Sequence, residues 1–322
     1  MKLRDLYRKA VDIGISHDPR SRDELERVLE EEKEKSDKLD EADREFFDGD
    51  RLFNPYADTR ILCGLPETEV NKVIAGIDME SAEVVLTHIL NSAGGRKVDL
   101  IIAHHPEGYA LARLHDVMRV QADLLANCGI AISAAEQLME RRIGEVERRL
   151  LAVNHNRTVD AARLLGIPMM CIHTPADNCV THYLTNLFER ERPDKLKDLM
   201  KLLRDIPEYK SAARLQAPPK IVSGSEHNSC GKIYVDMTGG TEGSKDIFEK
   251  LSASGVSTLV GMHISEEHLE KAKKANLNVV VAGHVSSDNL GLNILFDELE
   301  KVEPLEFISV SGFERFRRNE LI

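Results

Sequence analysis

The chain has 322 residues, of which 42% are hydrophobic and 30% charged, so it can bury a large core and suggests two lobes rather than one. Its formal net charge is −12, and because an acidic protein repels phosphate backbones, we expect no nucleic-acid partner. No apolar run approaches the ~18 residues of a membrane span, and the N-terminus lacks the apolar core of a signal peptide, so we expect neither a membrane segment nor export.

The cysteines indicate a reducing compartment. There are five of them, scattered along the chain and without a C-x-x-C pair. This usage predicts free thiols, with neither a disulfide framework nor a Cys-type zinc site, and therefore a cytoplasmic location.

Residues 1–70 are predicted to form a helical N-terminal extension. They are highly charged, and residues 21–24 read Ser-Arg-Asp-Glu, which has the form of a capping box. Residues 30–35 are charged without a break, which is typical of a solvated helix face.

Beyond residue 72 the pattern changes to alternating strands and helices. Strands are predicted at 73–77, 98–103 and 169–172, and helices at 80–91, 113–127, 134–152 and 159–165. We interpret the helices within about 108–165 as an insertion in a first α/β lobe at 71–190.

The second half repeats the alternation after a helical bridge at 191–218. Strands are predicted at 233–237, 258–260 and 277–282, and helices at 244–253, 266–275 and 290–302. Such alternation predicts an α/β fold with mixed or parallel sheets, and its repetition predicts two similar lobes, the second at 219–322.

Residues 98–106 are the most informative stretch. The apolar run at 98–103 is typical of a buried strand, and it ends on His104, His105 and Pro106. Because Pro106 disfavours the helical region for His105, the pair should stay extended, with its side chains on opposite faces. Two such imidazoles suit two metal ions better than one. The alternative is that they are polar residues that end a strand.

Two further strand ends carry similar residues. The predicted strand at 169–172 runs into His173 and Asp177, and the last one runs into His284 and Asp288. Ligands bind at the carboxyl ends of strands in open α/β sheets, so these ends could contribute to one site. A single His and carboxylate pair is better explained by coincidence, and the signal is that three such strand ends occur in one chain.

Imidazole and carboxylate ligands favour zinc, iron, manganese or cobalt over a soft thiolate metal. Two carboxylates contribute about −2 against about +4 from two divalent ions, so hydroxide, water or an anionic substrate must supply the balance.

These motifs resemble those of the NIF-three-like proteins, a family also known as GTP cyclohydrolase I type 2. That family shows an apolar strand ending in His-His-Pro, then His-x-x-x-Asp after another strand, then Gly-His-x-x-x-Glu near the C-terminus. The resemblance covers roughly residues 70–310. Asp288 stands where the family usually has Glu, so the chain is identified as a divergent member.

The resemblance implies two α/β lobes with mixed sheets and a two-metal centre in the cleft between them, often in a ring-shaped hexamer. It implies five metal ligands: His104, His105, Asp177, His284 and Asp288. The two histidines of the pair would each bind one ion, and Asp177 would be the shared carboxylate.

Two other histidines are further candidates for the metal site. His173 opens the His-x-x-x-Asp motif, and the resemblance implies that it lies near the site rather than acting as a main ligand. His155 and Asp160 form an alternative pair, but we prefer Asp177 because the strand at 169–172 precedes it.

Another strand end offers candidates for proton transfer or substrate binding. His263 and His268 follow the predicted strand at 258–260. The alternative interpretation is that this stretch is a solvated helix N-terminus, where acidic residues are favoured by the helix dipole.

The leading hypothesis is a dinuclear-metal hydrolase that acts on a small, anionic, nucleotide-like substrate. The resemblance suggests metal-hydroxide attack on the purine ring of GTP, although the chain has no P-loop and no G-x-G-x-x-G. One alternative is a non-catalytic, metal-binding ring protein that binds a partner or handles metal. Another is a mononuclear phosphoesterase.

Overall fold

The computed structural model describes residues 1–94 and 97–318. Within that part of the chain the strands are β1 Arg60–Cys63, β2 Lys72–Gly76, β3 Leu100–Ala103, β4 Met169–Cys171, β5 Lys220–Ser223, β6 Lys232–Asp236, β7 Val256–Gly261, β8 Asn278–Val281 and β9 Glu306–Ser309. They form two mixed sheets, so the predicted α/β class is confirmed.

The N-terminal half carries the helices α1 Leu3–Ser16, α2 Arg22–Asp37, α3 Glu41–Arg44, α4 Ser81–Ser92, α5 Gly108–Ala112, α6 Leu114–Val117, α7 Val120–Asn127, α8 Ile132–Leu150 and α9 Arg157–Leu164, with a 3₁₀ turn at Gly49–Leu52. The C-terminal half carries α10 Thr174–Glu191, α11 Leu196–Asp205, α12 Pro207–Arg214, α13 Phe248–Ala253, α14 Glu266–Lys274 and α15 His284–Glu300. Among the described residues, none of these helices has the length and apolarity that a membrane crossing requires.

The two sheets repeat one arrangement of strands. The first has the order β1-β4-β3-β2-β9, and the second has the order β5-β8-β7-β6. In each sheet the first strand is antiparallel to its neighbour, and the next three run parallel to one another. β4 therefore corresponds to β8, and the helices that follow them, α10 and α15, also correspond.

Helices α10 and α15 lie between the two sheets. Ala176 of α10 and Leu292 of α15 join the core on the first sheet, while Val180 and Leu290 join the core on the second sheet. Both helices bury apolar side chains on two sides. Full burial of a Val or Leu side chain stabilises the fold by about 1.5–3 kcal/mol, so the positions of the helices are strongly determined. The carboxyl ends of β4 and β8 lead directly into this shared layer.

Outer helices cover the remaining sheet faces. α4 and α9 pack on the first sheet through Val84 and Val159, whereas α7 and α8 pack on the second sheet through Leu125 and Met139. The helices α7 and α8, predicted as an insertion of the first lobe, thus form part of the core of the second. The local sequence pattern does not show which sheet a helix packs on, so this packing could not be predicted from it.

The N-terminal extension is part of the first core rather than an appendage. Leu6 and Ala10 of α1 are fully buried in it. The extension also contains β1, which was not predicted, and β9 returns from the second predicted domain to pair with β2. The domain boundaries at 70, 190 and 218 otherwise stay a prediction, and the last four residues of the second predicted lobe, 319–322, lie outside the described residues.

Candidate metal centre

The histidine pair follows β3 directly, in the middle of the first sheet. The backbone N–H groups of His104 and His105 donate to the carbonyl oxygens of Gly76 and Ile77, at 2.9 and 3.0 Å. The chain bends at these two residues, so their rings do not diverge onto opposite faces as predicted. The ring centroids lie 5.3 Å apart, and both rings face one cleft.

Second partners orient both rings. His104 Nδ1 lies 3.0 Å from the carbonyl oxygen of Ile172, and His105 Nδ1 lies 2.6 Å from Asp78 Oδ1. Since a carbonyl oxygen and a carboxylate can only accept, Nδ1 is the donor in each ring. A neutral ring then presents the lone pair of Nε2 to the cleft, which is how metal-binding histidines are oriented.

The helices between the sheets deliver the other candidates. His173 precedes α10 and Asp177 lies in its first turn; His284 begins α15 and Asp288 follows one turn later. Gly283, just before α15, has a φ of 110°, a conformation that glycine adopts without strain. The structure thus brings all five residues of the predicted ligand set into one cluster.

Asp288 lies at the centre of this cluster. Its Oδ1 is 3.5 Å from His104 Nε2, and its Oδ2 is 3.6 Å from His105 Nε2 and 3.7 Å from His284 Nε2. Asp177 Oδ1 is 3.5 Å from His104 Nε2. These separations exceed a hydrogen bond of about 2.7–3.2 Å. They are close to the ~3.4 Å between two ligands that each bind one zinc ion tetrahedrally at about 2.1 Å.

Unpartnered buried atoms show that the cluster fits divalent cations. Among the described residues His104 Nε2, Asp177 Oδ1 and both oxygens of Asp288 are buried without a hydrogen-bond partner. Burying an unpaired carboxylate is costly, and a bound cation removes that cost. Three overlapping groups could each hold an ion, with ligand atoms within 4.8 Å of one another: His104, His105 and His173; His105, His284 and Asp288; His104, Asp177 and Asp288.

The pKa values of the two carboxyl groups are shifted in opposite directions. Burial raises the pKa of Asp177 well above its usual value, with His104 opposing the rise and the charge of Asp288 adding to it. Burial also raises the pKa of Asp288, but the imidazoles of His104, His284 and His105 outweigh it and hold this pKa below the usual value. Of the two carboxyl groups, Asp177 therefore binds a proton more readily than Asp288.

Burial favours the neutral form of His105 and His284, two of the histidines that face Asp288. Burial lowers the pKa of His105 to about 4, helped by His104 and His173. Burial also lowers the pKa of His284. Neutral imidazole is the form that binds metal ions, so both rings are ready to do so at pH 7.

A cavity extends from the cluster toward the second lobe. Its lining comprises His173, Asp177, Asp236, Met237, Thr238, Gly240, Thr241, Glu242, Met262, His263, His284 and Asp288. None of these described lining residues is Lys or Arg. Burial raises the pKa of Asp236 to about 6, and the charge of Glu242 adds to the rise.

The structure separates the two predicted substrate-binding histidines. His263 lines the cavity, and its ring centroid lies 5.0 Å from that of His284. His268 is buried in the second lobe, where Nδ1 lies 2.7 Å from Ser265 Oγ and Nε2 lies 3.0 Å from the carbonyl oxygen of Gly243. Both of its ring nitrogens are thus used within the protein, and His268 does not line the cavity.

Sequence reasoning missed two carboxylates next to the cluster. Asp58 accepts a hydrogen bond from His173, which brings the Asp58 pKa below its usual value although burial raises it. No motif marks Asp58, whereas Asp78 directly follows the predicted strand at 73–77 and could have been noticed. The alternative carboxylate Asp160 is exposed and pairs with Arg163 at 2.8 Å.

The fold of this chain is similar to that of several solved structures. No protein-family model and no curated protein matches the chain. A NIF3 superfamily protein from Sphaerobacter thermophilus is similar, with a TM-score of 0.69 and 26% identity over 80% of this chain and 92% of that chain. Reduced HcgD from Methanocaldococcus jannaschii aligns with a TM-score of 0.47 and 16% identity over 77% of this chain and 87% of that chain.

Proposed function

We propose that the chain, whose fold is similar to that of a NIF3 superfamily protein, is a hydrolase that depends on two divalent cations per chain. The ions would be zinc, iron, manganese or cobalt, because the ligands are nitrogen and oxygen. The unpartnered Asp288 carboxylate, surrounded by three imidazoles, is the observation that carries this proposal. When bound, such ions acidify water and polarise the reacting group of a substrate, which is the chemistry of hydrolysis.

The distances suggest which residues hold which ion. His104 lies beside Oδ1 of Asp288, and Asp177 lies beside His104. His105 and His284 lie beside the other oxygen of Asp288, Oδ2. Asp288 thus directs Oδ1 to the first pair and Oδ2 to the second. We therefore assign the shared carboxylate to Asp288, and not to Asp177 as the family resemblance implies.

The cavity wall supports a small, nucleotide-like substrate. Met237 and Met262 provide apolar surface for a ring. The carboxylate of Asp236 makes no hydrogen bond with any described residue and can accept N–H groups from such a ring. His263 is placed to transfer a proton because it is exposed in the same cavity. Since no described lining residue is Lys or Arg, an anionic group of the substrate would be neutralised by the cations rather than by the protein.

Turnover of a nucleotide panel tests the proposal. The wild type would be assayed with added zinc, manganese or iron beside His105→Ala, and beside His227→Ala as the matched control, since the His227 side chain is 77% exposed. We expect at least one compound to be consumed, with a loss of about 100-fold in His105→Ala and none in the control.

The alternative function predicts a different result. If the wild type consumes no compound faster than His105→Ala, the enzyme proposal is wrong. Metal that still co-purifies with the wild type would then support a non-catalytic metal-binding protein. The homo-oligomer and the cytoplasmic location expected from the sequence stay proposals, which light scattering and cell fractionation would test.

A further inference from the structure

Strand β4 and helix α10 repeat the geometry of β8 and α15. His173 stands where β4 enters α10, and His284 stands where β8 enters α15. In both helices a carboxylate follows four residues later: His173 Nε2 lies 3.8 Å from Asp177 Oδ2, and His284 Nε2 lies 3.7 Å from Asp288 Oδ2. The internal duplication of the fold therefore gives His173 the position in the first lobe that the ligand candidate His284 has in the second.

The ring of His173 is fixed by the N-terminal segment. Its Nδ1 donates to Oδ2 of Asp58 at 2.8 Å, and the same oxygen accepts from Thr174 Oγ1 at 2.6 Å. The backbone N–H of His173 donates to Thr59 Oγ1 at 3.1 Å. Asp58 is completely buried, so this carboxylate has exchanged water for the His173 ring. A carboxylate that accepts from Nδ1 leaves Nε2 as the free nitrogen.

That free nitrogen faces the candidate centre. The ring centroid of His173 lies 4.9 Å from that of His104 and 5.9 Å from that of His105. Ligand atoms of these three histidines lie within 4.8 Å of one another. His173 also lines the cavity, together with Asp177, His284 and Asp288.

From this geometry we infer that His173 is a sixth ligand of the metal centre and that Asp58 is its positioning residue. The inference rests on the two-metal centre proposed above but changes its ligand set. Asp58 fixes the tautomer and the orientation of the ring, which is the role of carboxylate partners of metal-binding histidines. The segment before β1 thus becomes part of the site.

Zinc affinity tests the inference independently of any activity. Competition with a chromogenic chelator would compare the wild type with Asp58→Asn, with His173→Gln and with His268→Gln. His268 is the matched control because it is also a buried histidine with an anchored ring, but it lies away from the cavity. We expect Asp58→Asn to weaken zinc binding by about 10-fold or more, His173→Gln by at least as much, and the control to keep wild-type affinity.

A second measurement on the wild type avoids any folding defect of the variants. Nuclear magnetic resonance of the protein loaded with cadmium should show a scalar coupling between the bound metal and His173 Nε2. Absence of that coupling, while His104 and His284 show it, or unchanged zinc affinity in folded His173→Gln, would overturn the inference and leave the proposed function standing. A wild type that binds no divalent ion would overturn both.

Discussion

Gly291 packs directly against the backbone of Ala176. A Cβ atom on Gly291 would come within 2.8 Å of the carbonyl carbon of Ala176, closer than side chains are found in proteins. Ala176 precedes Asp177 on α10, and Gly291 lies three residues after Asp288 on α15. The absence of a side chain at this contact therefore sets the distance between the two helices that bring the buried carboxylates together.

Substitution of this glycine should loosen the centre. We expect Gly291→Ala to push the two helices apart, cost about 1–3 kcal/mol of stability and weaken zinc binding. The helix-propensity gain of alanine, about 1 kcal/mol, does not remove a clash with backbone atoms. Gly49→Ala is the control, because a Cβ there meets nothing within 4 Å. Equal zinc affinities in the two folded variants would contradict the expected role of the helix contact.

The number of metal ions bound per chain should distinguish a carboxylate that binds both ions from a histidine that binds one. Asp288 belongs to two of the three candidate groups and His284 to one, so we expect Asp288→Ala to lose both ions and His284→Ala to keep one of the two. Elemental analysis of the purified variants measures this directly, with His227→Ala as the exposed control. Retention of both ions in Asp288→Ala would show that Asp288 is not shared.

Metal binding should stabilise the wild type through Asp177. Free zinc at about 100 times the dissociation constant raises the free energy of unfolding by about 2.7 kcal/mol when it binds only the folded state. Asp177→Asn should lose most of this gain, because the buried carboxyl that the ion relieves is no longer ionisable. Urea denaturation with zinc and with a chelator gives both values. An equal zinc-induced gain in the variant would remove Asp177 from the ligand set.

The cavity carboxylate Asp236 predicts a pH dependence of stability. Burial raises its pKa to about 6 in the folded state, above about 3.9 in the unfolded chain. The unfolded chain therefore ionises first, and this group lowers stability as the pH rises from about 4 to about 6. The full loss above that window is about 3 kcal/mol, so Asp236→Asn should be more stable than the wild type at pH 7.5 but not at pH 4.

Denaturation at the two pH values in the presence of a chelator tests this, with Asp37→Asn on an exposed helix face as the control. A difference between Asp236→Asn and the wild type that does not change with pH would contradict the raised pKa.

Local sequence pattern was sufficient to predict six of the nine strands that the described residues form. β2, β3, β4, β6, β7 and β8 were all predicted within two residues or so of their observed ends, because each is a short apolar run. β5 and β9 escaped because they are edge strands of four residues with partly exposed side chains, which leave no apolar run to detect. β1 is also a four-residue edge strand, with alternate residues only partly buried.

Strand periodicity and residue type are local properties of the chain, so they were enough to predict the α/β class and the ligand candidates at three strand ends. The folded chain was needed to show that Asp288 lies at the centre of the cluster, that Asp58 anchors His173 and that His268 lies away from the cavity. Those outcomes depend on two helices packed between two sheets and on a segment 115 residues away from its partner histidine. Convergence of side chains over such separations is set by the packing of the whole core, which no local pattern encodes.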